Sequence, residues 1–346
     1  MSSLAVFCRI VKVVRMTKIA PVVVALLVIV ACQVNTELPA VTYSAHCSKI
    51  PRPGNSTLPL NDASDGWFQV YETAPDTYAI VEPFHYQETI SHLIVGTERA
   101  LLFDTGMGFF PMRPLVERIT KLPVTVLNSH THYDHVGGNA EFPTILAVDT
   151  RYTHANMAGF KHARIASETA AAAFCPELPD NADRDSFATQ AWQANEYIQD
   201  GQVLELGGRQ LQVLLVPGHT PDAIALLDAD NGLLFTGDTY YDAPIWLFAG
   251  ETSLSDYAQS IGRLAEVEGQ VRYLLGAHNE ARVDAGAIAQ VAAAFEKLRS
   301  GNITPVDESD GILNYDIDGI EFVSSMPVLQ GQQGDLSTGG SGIEGL

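Results

Sequence analysis

The stretch HTHYDHVGG, His130 to Gly138, places three histidines and an aspartate within six positions and closes on two glycines. It follows VTVLNS (124–129), an apolar, β-branched run that reads as a buried strand. Where a strand is ending, His130 and His132 leave from the same face, so two imidazoles can reach one ion. Asp134 and His135 follow after a turn, and Gly137 with Gly138 lets the backbone bend tightly. This spacing differs from HExxH, which presents its ligands across one helical turn. Four good ligands in so short a loop are rare by chance, and the alternative is a polar surface loop.

Three further ligand-type residues occupy a matching context. His219 lies in VPGHTPD, Asp238 in FTGDTYY and His278 in LLGAHNE, each after an apolar strand-like run and a glycine. Five of the ten histidines therefore fall at strand ends. Seven nitrogen and oxygen donors exceed what one ion takes, and imidazole with carboxylate suits zinc, so two zinc ions per chain are expected.

Outward from these loops, WFQVYE, TYAIVEP, TISHLIVG and RALLFDTG read as strands, and PLVERITKL as a helix. QVLELGG, QLQVLLVPGHT, AIALLDA and GLLFTGDT resume the strands; helices LSDYAQSIGRLAEV and DAGAIAQVAAAFEKLRS bracket VRYLLGAH, and the hairpin ILNYDIDGIEFVSS closes the body. Strand runs with helices in both halves predict an α/β (α+β) fold, an αββα layered sandwich, over 67–327. Residues 151–200 read as an insertion, with an alanine-rich helix over 158–174 and a second helix reaching about Gln199. Residues 32–66, rich in Pro, Gly, Ser and Asn, read as linker, and the Gly-rich 328–346 as a disordered tail.

The first 31 residues carry Arg9, Lys12, Arg15 and Lys18 without an acid, then the apolar run Ile19–Cys32, the layout of a signal peptide. Met16 is an alternative start before the same run. The apolar part falls short of the roughly 20 residues that span a bilayer. Its end, IVAC, resembles a bacterial lipobox with Cys32 as a lipid-anchor site; the alternative is an ordinary cleavage site with Cys32 incidental. Either way export is expected, to the periplasm, the outer membrane or beyond. Cys47 and Cys175 remain in the body, and sequence leaves open whether they bridge. The net charge of −21 argues against nucleic acid, whose phosphates require clustered cations.

The set HxHxDH followed by GH, GD and GH resembles the metallo-β-lactamase-fold hydrolases. The resemblance implies a first zinc on His130, His132 and His219, a second on Asp134, His135 and His278, and Asp238 bridging both. Class B β-lactamases carry Cys or Ser where this chain has Asp238, so the resemblance is to the glyoxalase II, lactonase and phosphodiesterase branches. The chain has little sequence left for the helical domain of glyoxalase II. Tyr241 stands where acyl-homoserine lactonases place a tyrosine on the substrate carbonyl; alternatively Tyr240 and Tyr241 pack beside APIWLF. In the family the aspartate matching Asp104 buttresses the metal loop; alternatively Asp104 is a plain turn residue at the end of its strand. His85 and His92 read as packed or solvated, and His154 and His162 as lid or exposed helix.

The implied chemistry is attack by a metal-bridging hydroxide on an ester, lactone or similar acyl bond, with Asp134 relaying a proton and Tyr241 steadying the oxyanion. No G-x-S-x-G motif offers a serine nucleophile. β-Lactam hydrolysis is the second expectation; phosphoester or thioester hydrolysis and a non-catalytic metal-binding lipoprotein are further alternatives.

Overall fold

The computed structural model describes residues 45–175, 184–301, 303–309 and 311–331. The expected leader and the Cys32 site lie outside these residues, as do 332–346 of the tail expected over 328–346; residues 328–331 are described and include the end of a short helix, contrary to that expectation. Among the described residues no helix is long and apolar enough to cross a membrane.

Two sheets carry the site. The first runs in chain order through β1 (Gln69–Ala74), β2 (Thr77–Val81), β3 (Ile90–Val95), β4 (Ala100–Phe103), β5 (Val124–Leu127), β6 (Ile145–Val148) and β7 (Glu196–Ile198). Its pairs are antiparallel as far as β4 and parallel from β4 to β7. The second begins with β8 (Val203–Glu205), β9 (Gln210–Leu215), β10 (Ile224–Asp228) and β11 (Leu233–Gly237). After β12 (Ile245–Leu247), β13 (Tyr273–Gly276) returns parallel to β11 and β14 (Val283–Asp284) closes that edge.

The unbroken apolar runs follow from burial of both faces of the inner strands, as in β4, β10 and β11. In β4, Leu101 and Phe103 face the other sheet and meet Val213, Leu226, Phe235 and Leu275. Ala100 and Leu102 point the opposite way, into the cluster holding Leu115 and Val116 of α1 (Arg113–Ile119). Chain order continues with α2 (Tyr133–Val136), α3 (Arg151–Asn156), α4 (Leu254–Glu266) and α5 (Ala287–Arg299). Tyr257 and Ile261 of α4, and Ile288, Val291 and Phe295 of α5, cover Leu214, Ala225, Leu234 and Leu274 on the outer face of the second sheet. Ser253 caps α4 by accepting from the Asp256 amide, as its Ser-x-x-Asp spacing suggests. The layers are those of an αββα sandwich.

Three departures from expectation have physical causes. The alanine-rich 158–174 is no continuous helix: α3 ends early, Gly159 takes φ +73°, and only short 3-10 turns follow. Its backbone is claimed by distant partners instead, Tyr86 N–H donating to Ala173 O and Cys175 N–H to Phe84 O. The later helix expected to reach Gln199 is replaced by strand β7. Residues 45–66, read as linker, are fastened to the body. Buried Asn55 donates to Asn279 O at 2.9 Å and accepts from Ala281 N at 2.7 Å, while Arg52 pairs with Glu88. A composition poor in helix and strand formers excludes a ladder, not packing. Cys47 and Cys175 form a disulfide. Last, the C-terminal hairpin, β16 (Ile312–Ile317) and β17 (Ile320–Ser325), joins β15 (Asp307–Ser309) and β12 in a four-stranded third sheet. A short α6 (Met326–Leu329) follows, with Val328 buried.

Candidate metal centre

Each loop carrying a candidate ligand follows the end of a strand: His130, His132, Asp134 and His135 after β5, His219 after β9, Asp238 after β11 and His278 after β13. His132 is still extended and α2 is a single turn bearing Asp134 and His135. Buried amides stitch the loop in place. Asn128 donates to His135 O at 2.7 Å, and Asn139 donates to Asn128 Oδ1 at 2.9 Å and accepts from Thr105 Oγ1 at 2.8 Å. Gly137 has an ordinary helical φ of −57°, so tight bending is not why it is glycine. A Cβ there would sit 2.1 Å from Met107 O, and close approach of two backbones is the reason.

The seven side chains meet as two groups. His130 Nε2 and His219 Nε2 lie 2.9 and 3.1 Å from His132 Nδ1. His135 Nε2 and His278 Nε2 lie 3.4 and 3.7 Å from Asp134 Oδ2. Asp238 touches both groups: Oδ2 is 3.5 Å from His219 Nε2, and Oδ1 is 3.6 Å from His135 Nε2 and 3.2 Å from His278 Nε2.

The outer nitrogens decide the chemistry of the inner ones. His219 Nδ1 faces Trp246 O at 2.9 Å and His278 Nδ1 faces Gln87 O at 2.7 Å. His135 Nδ1 faces Asp104 Oδ2 at 3.0 Å, and His132 Nε2 faces Glu251 Oε1 at 2.8 Å. His130 Nδ1 lies 3.0 Å from Ser129 Oγ, whose own proton goes to Asp104 Oδ2 at 2.8 Å. Every one of these partners accepts, so every outer nitrogen donates. In the neutral ring the inner nitrogen is then a lone pair. Three lone pairs converge in the first group and two, with a carboxylate, in the second.

With its rings neutral, the first group sets lone pair against lone pair, a clash that a cation relieves; in the second, Asp134 and Asp238 favour a proton on His135 in a cation's absence. Two buried atoms facing the gap, His135 Nε2 and Asp238 Oδ1, also lack any hydrogen-bond partner. The donor set, five imidazoles and two carboxylates, fits zinc. Burial holds His130 well below its ordinary pKa and His219 at about 4, so both are neutral, the ligating form. For His135 burial opposes the charge, but Asp134, Asp238 and Asp104 outweigh it and raise the pKa well above the ordinary value. Asp134 is held at about 2, burial being overcome by His135 and His278.

The groups open into a cavity of about 420 Å³. His132, Asp134, His219, Asp238, Tyr241 and His278 contribute to its lining, together with Tyr133, Phe160, Ile165, Trp246 and Phe248, and with Lys49 and Arg52 from the segment before β1. Tyr241 stacks edge-on to His278 at 5.0 Å, and its hydroxyl accepts from Trp246 N–H at 3.0 Å. Its own proton stays available, because burial and then Asp238 raise the phenol pKa well above 10.

Asp104 takes φ +70° to reach His135 and Ser129, which makes it a buttress of the metal loop. His85 and His92 are fully buried and bonded to backbone carbonyls, and His154 is an exposed partner of Asp149. His162 bonds Phe187 O, and neither it nor His154 lines the cavity. Glu251, Ser129 and Gln87 were not foreseen. Glu251 lies in FAGETS, where no spacing or periodicity marks it.

Residues 89–299, well over half of the chain, match the family model described as Metallo-beta-lactamase superfamily. The acyl-coenzyme A thioesterase MBLAC2 of Homo sapiens is 30% identical over 200 residues, covering 54% of this chain and 71% of that protein. The hydroxyacylglutathione hydrolase of Synechococcus sp. (strain JA-3-3Ab) is 31% identical over 172 residues, 49% of each chain. Among solved structures, the sec-alkylsulfatase Pisa1 from Pseudomonas sp. superposes with a TM-score of 0.52 at 17% identity, covering 67% of this chain and 42% of that one, a likeness of fold alone. With the strand-end ligand loops, the layered sandwich and the sequence match in agreement, the chain belongs to the Metallo-beta-lactamase superfamily.

Proposed function

We propose that this protein is an exported hydrolase of acyl bonds that works with two zinc ions, His130, His132 and His219 holding one, Asp134, His135 and His278 the other, and Asp238 both. The observation that carries this is the convergence of five imidazole nitrogens and two carboxylates on one side of a cavity, with His135 Nε2 and Asp238 Oδ1 left unpartnered. Two divalent ions in such a site supply a hydroxide at neutral pH and a Lewis acid for the acyl oxygen. The protein's own groups do the rest. Asp134, kept ionised and lining the cavity, takes a proton and returns it to the leaving group. The Tyr241 hydroxyl donates to the developing oxyanion. Phe160, Ile165, Trp246 and Phe248 pack on the acyl portion and exclude water.

Thioesters stand first among the acyl bonds to test, since relatives include an acyl-coenzyme A thioesterase and a hydroxyacylglutathione hydrolase. Esters and lactones follow, and β-lactams are the runner-up class. The Cys47–Cys175 disulfide supports an oxidising compartment and so the export expected from the leader. The test is hydrolysis by zinc-loaded protein of acyl thioesters, aryl esters, lactones, phosphotriesters and β-lactams. Turnover of at least one acyl class is expected, falling to background with a strong chelator or in His132→Ala. Turnover indifferent to both would sink the proposal.

A further inference from the structure

We propose that Glu251 is a positioning residue for His132, and that through Tyr152 it couples α3 to the metal centre. This rests on His132 being a metal ligand, as proposed above. Four of the five histidines turn Nε2 inward; His132 alone presents Nδ1. Its ring must therefore be held the other way round, with Nε2–H bonded outward.

Glu251 supplies that bond. It is buried in the loop after β12, and its Oε1 accepts from His132 Nε2 at 2.8 Å and from Tyr152 Oη at 2.9 Å. A carboxylate behind a ligating imidazole selects the tautomer, fixes the ring and strengthens the lone pair on the other side. Tyr152 occupies the remaining lone pair of Oε1 and removes the freedom of Glu251 to swing into the cavity. Tyr152 is itself rigid. It is 1% exposed, and its neighbours in α3 grip the loop that carries His132, Thr153 Oγ1 bonding Asp222, which Thr131 also bonds, and Asn156 Nδ2 bonding Thr131 O. The segment after β6, which also supplies Phe160 and Ile165 to the cavity wall, is thus tied to one particular ligand. Linkage requires the converse: an ion on His132 steadies α3.

The test is a chelator-competition titration of zinc on the full-length wild type, Glu251→Ala, Glu251→Gln and Tyr152→Phe, with hydrogen exchange of 151–156 read with and without zinc. Glu251→Ala is expected to weaken one ion about 10- to 100-fold and leave the other unchanged. Glu251→Gln, which keeps an acceptor for His132 but not the charge, should fall between, and Tyr152→Phe should lose less. Zinc should slow exchange in 151–156 of the wild type but not in the Glu251 variants. If Glu251→Ala does not fold, the other two variants carry the same comparison. Two ions bound as tightly by Glu251→Ala, or by Glu251→Gln and Tyr152→Phe in its place, as by wild type would overturn the coupling alone. A wild type that binds no zinc would overturn the two-metal proposal.

Discussion

At the scale of single residues, the outer hydrogen bond of each histidine decides what its inner nitrogen can do. Ser129, next in sequence to His130, is one such link, receiving from His130 and donating to Asp104. Ser129→Ala should therefore cost about 10- to 100-fold in zinc affinity or activity while the chain stays folded, measured by titration and by circular dichroism. His92 shows the same chemistry without a metal. Burial drops its pKa to about 4, while Nε2–H bonds Gly276 O at 2.9 Å. The unfolded chain protonates this ring below about pH 6.5 and the folded chain only near 4, so the unfolded state binds more protons in between and stability falls as pH drops through that window. The loss attributable to His92 is of order 3 kcal/mol, fully felt near pH 4. His92→Gln, which retains a donor for Gly276, should flatten the acid limb of a stability-against-pH curve by about that amount; identical curves would refute it.

At the scale of elements, two features set where the ligand loops lie. Gly137 allows α2 to pass the backbone of Met107 and Gly108, where a Cβ would come within 2.1 Å of Met107 O. Gly137→Ala should displace the turn bearing Asp134 and His135, costing about 1–3 kcal/mol of stability and lowering zinc stoichiometry. Calorimetry and metal analysis report the two effects separately. The disulfide joins the segment of Lys49 and Arg52 to the segment of Phe160 and Ile165, so it ties together two walls of the cavity. The half-cystines are 128 residues apart, and replacing both with serine should cost roughly 2–4 kcal/mol in denaturant unfolding. Equal midpoints for the oxidised protein and the serine variant would contradict this.

At the scale of the whole molecule, seven donors from both sheets face one another at the end of a sandwich whose interior is mainly apolar. A cation that binds the folded chain alone stabilises it by mass action, about 4 kcal/mol at a thousandfold excess over Kd. Chelation should accordingly lower the unfolding midpoint and added zinc restore it. A midpoint unmoved by either would argue that the donors are not a metal site.

All seven candidate ligands were legible because they depend on local chemistry: residue type, a strand ending, and a spacing of two that puts neighbours on one face. The strands and the two long helices were legible for the same reason, since period and capping act within about ten residues. Residues 45–66 and 158–174 were not, because their backbone groups are satisfied by partners far along the chain. Nor was the third sheet, whose hairpin pairs with β12. Glu251, 119 positions from His132, and the union of Cys47 with Cys175 belong with these. Sequence alone determines which side chains stand ready at the strand ends. Which nitrogen each ring offers, and what holds it there, depends on groups that only packing brings within 3 Å.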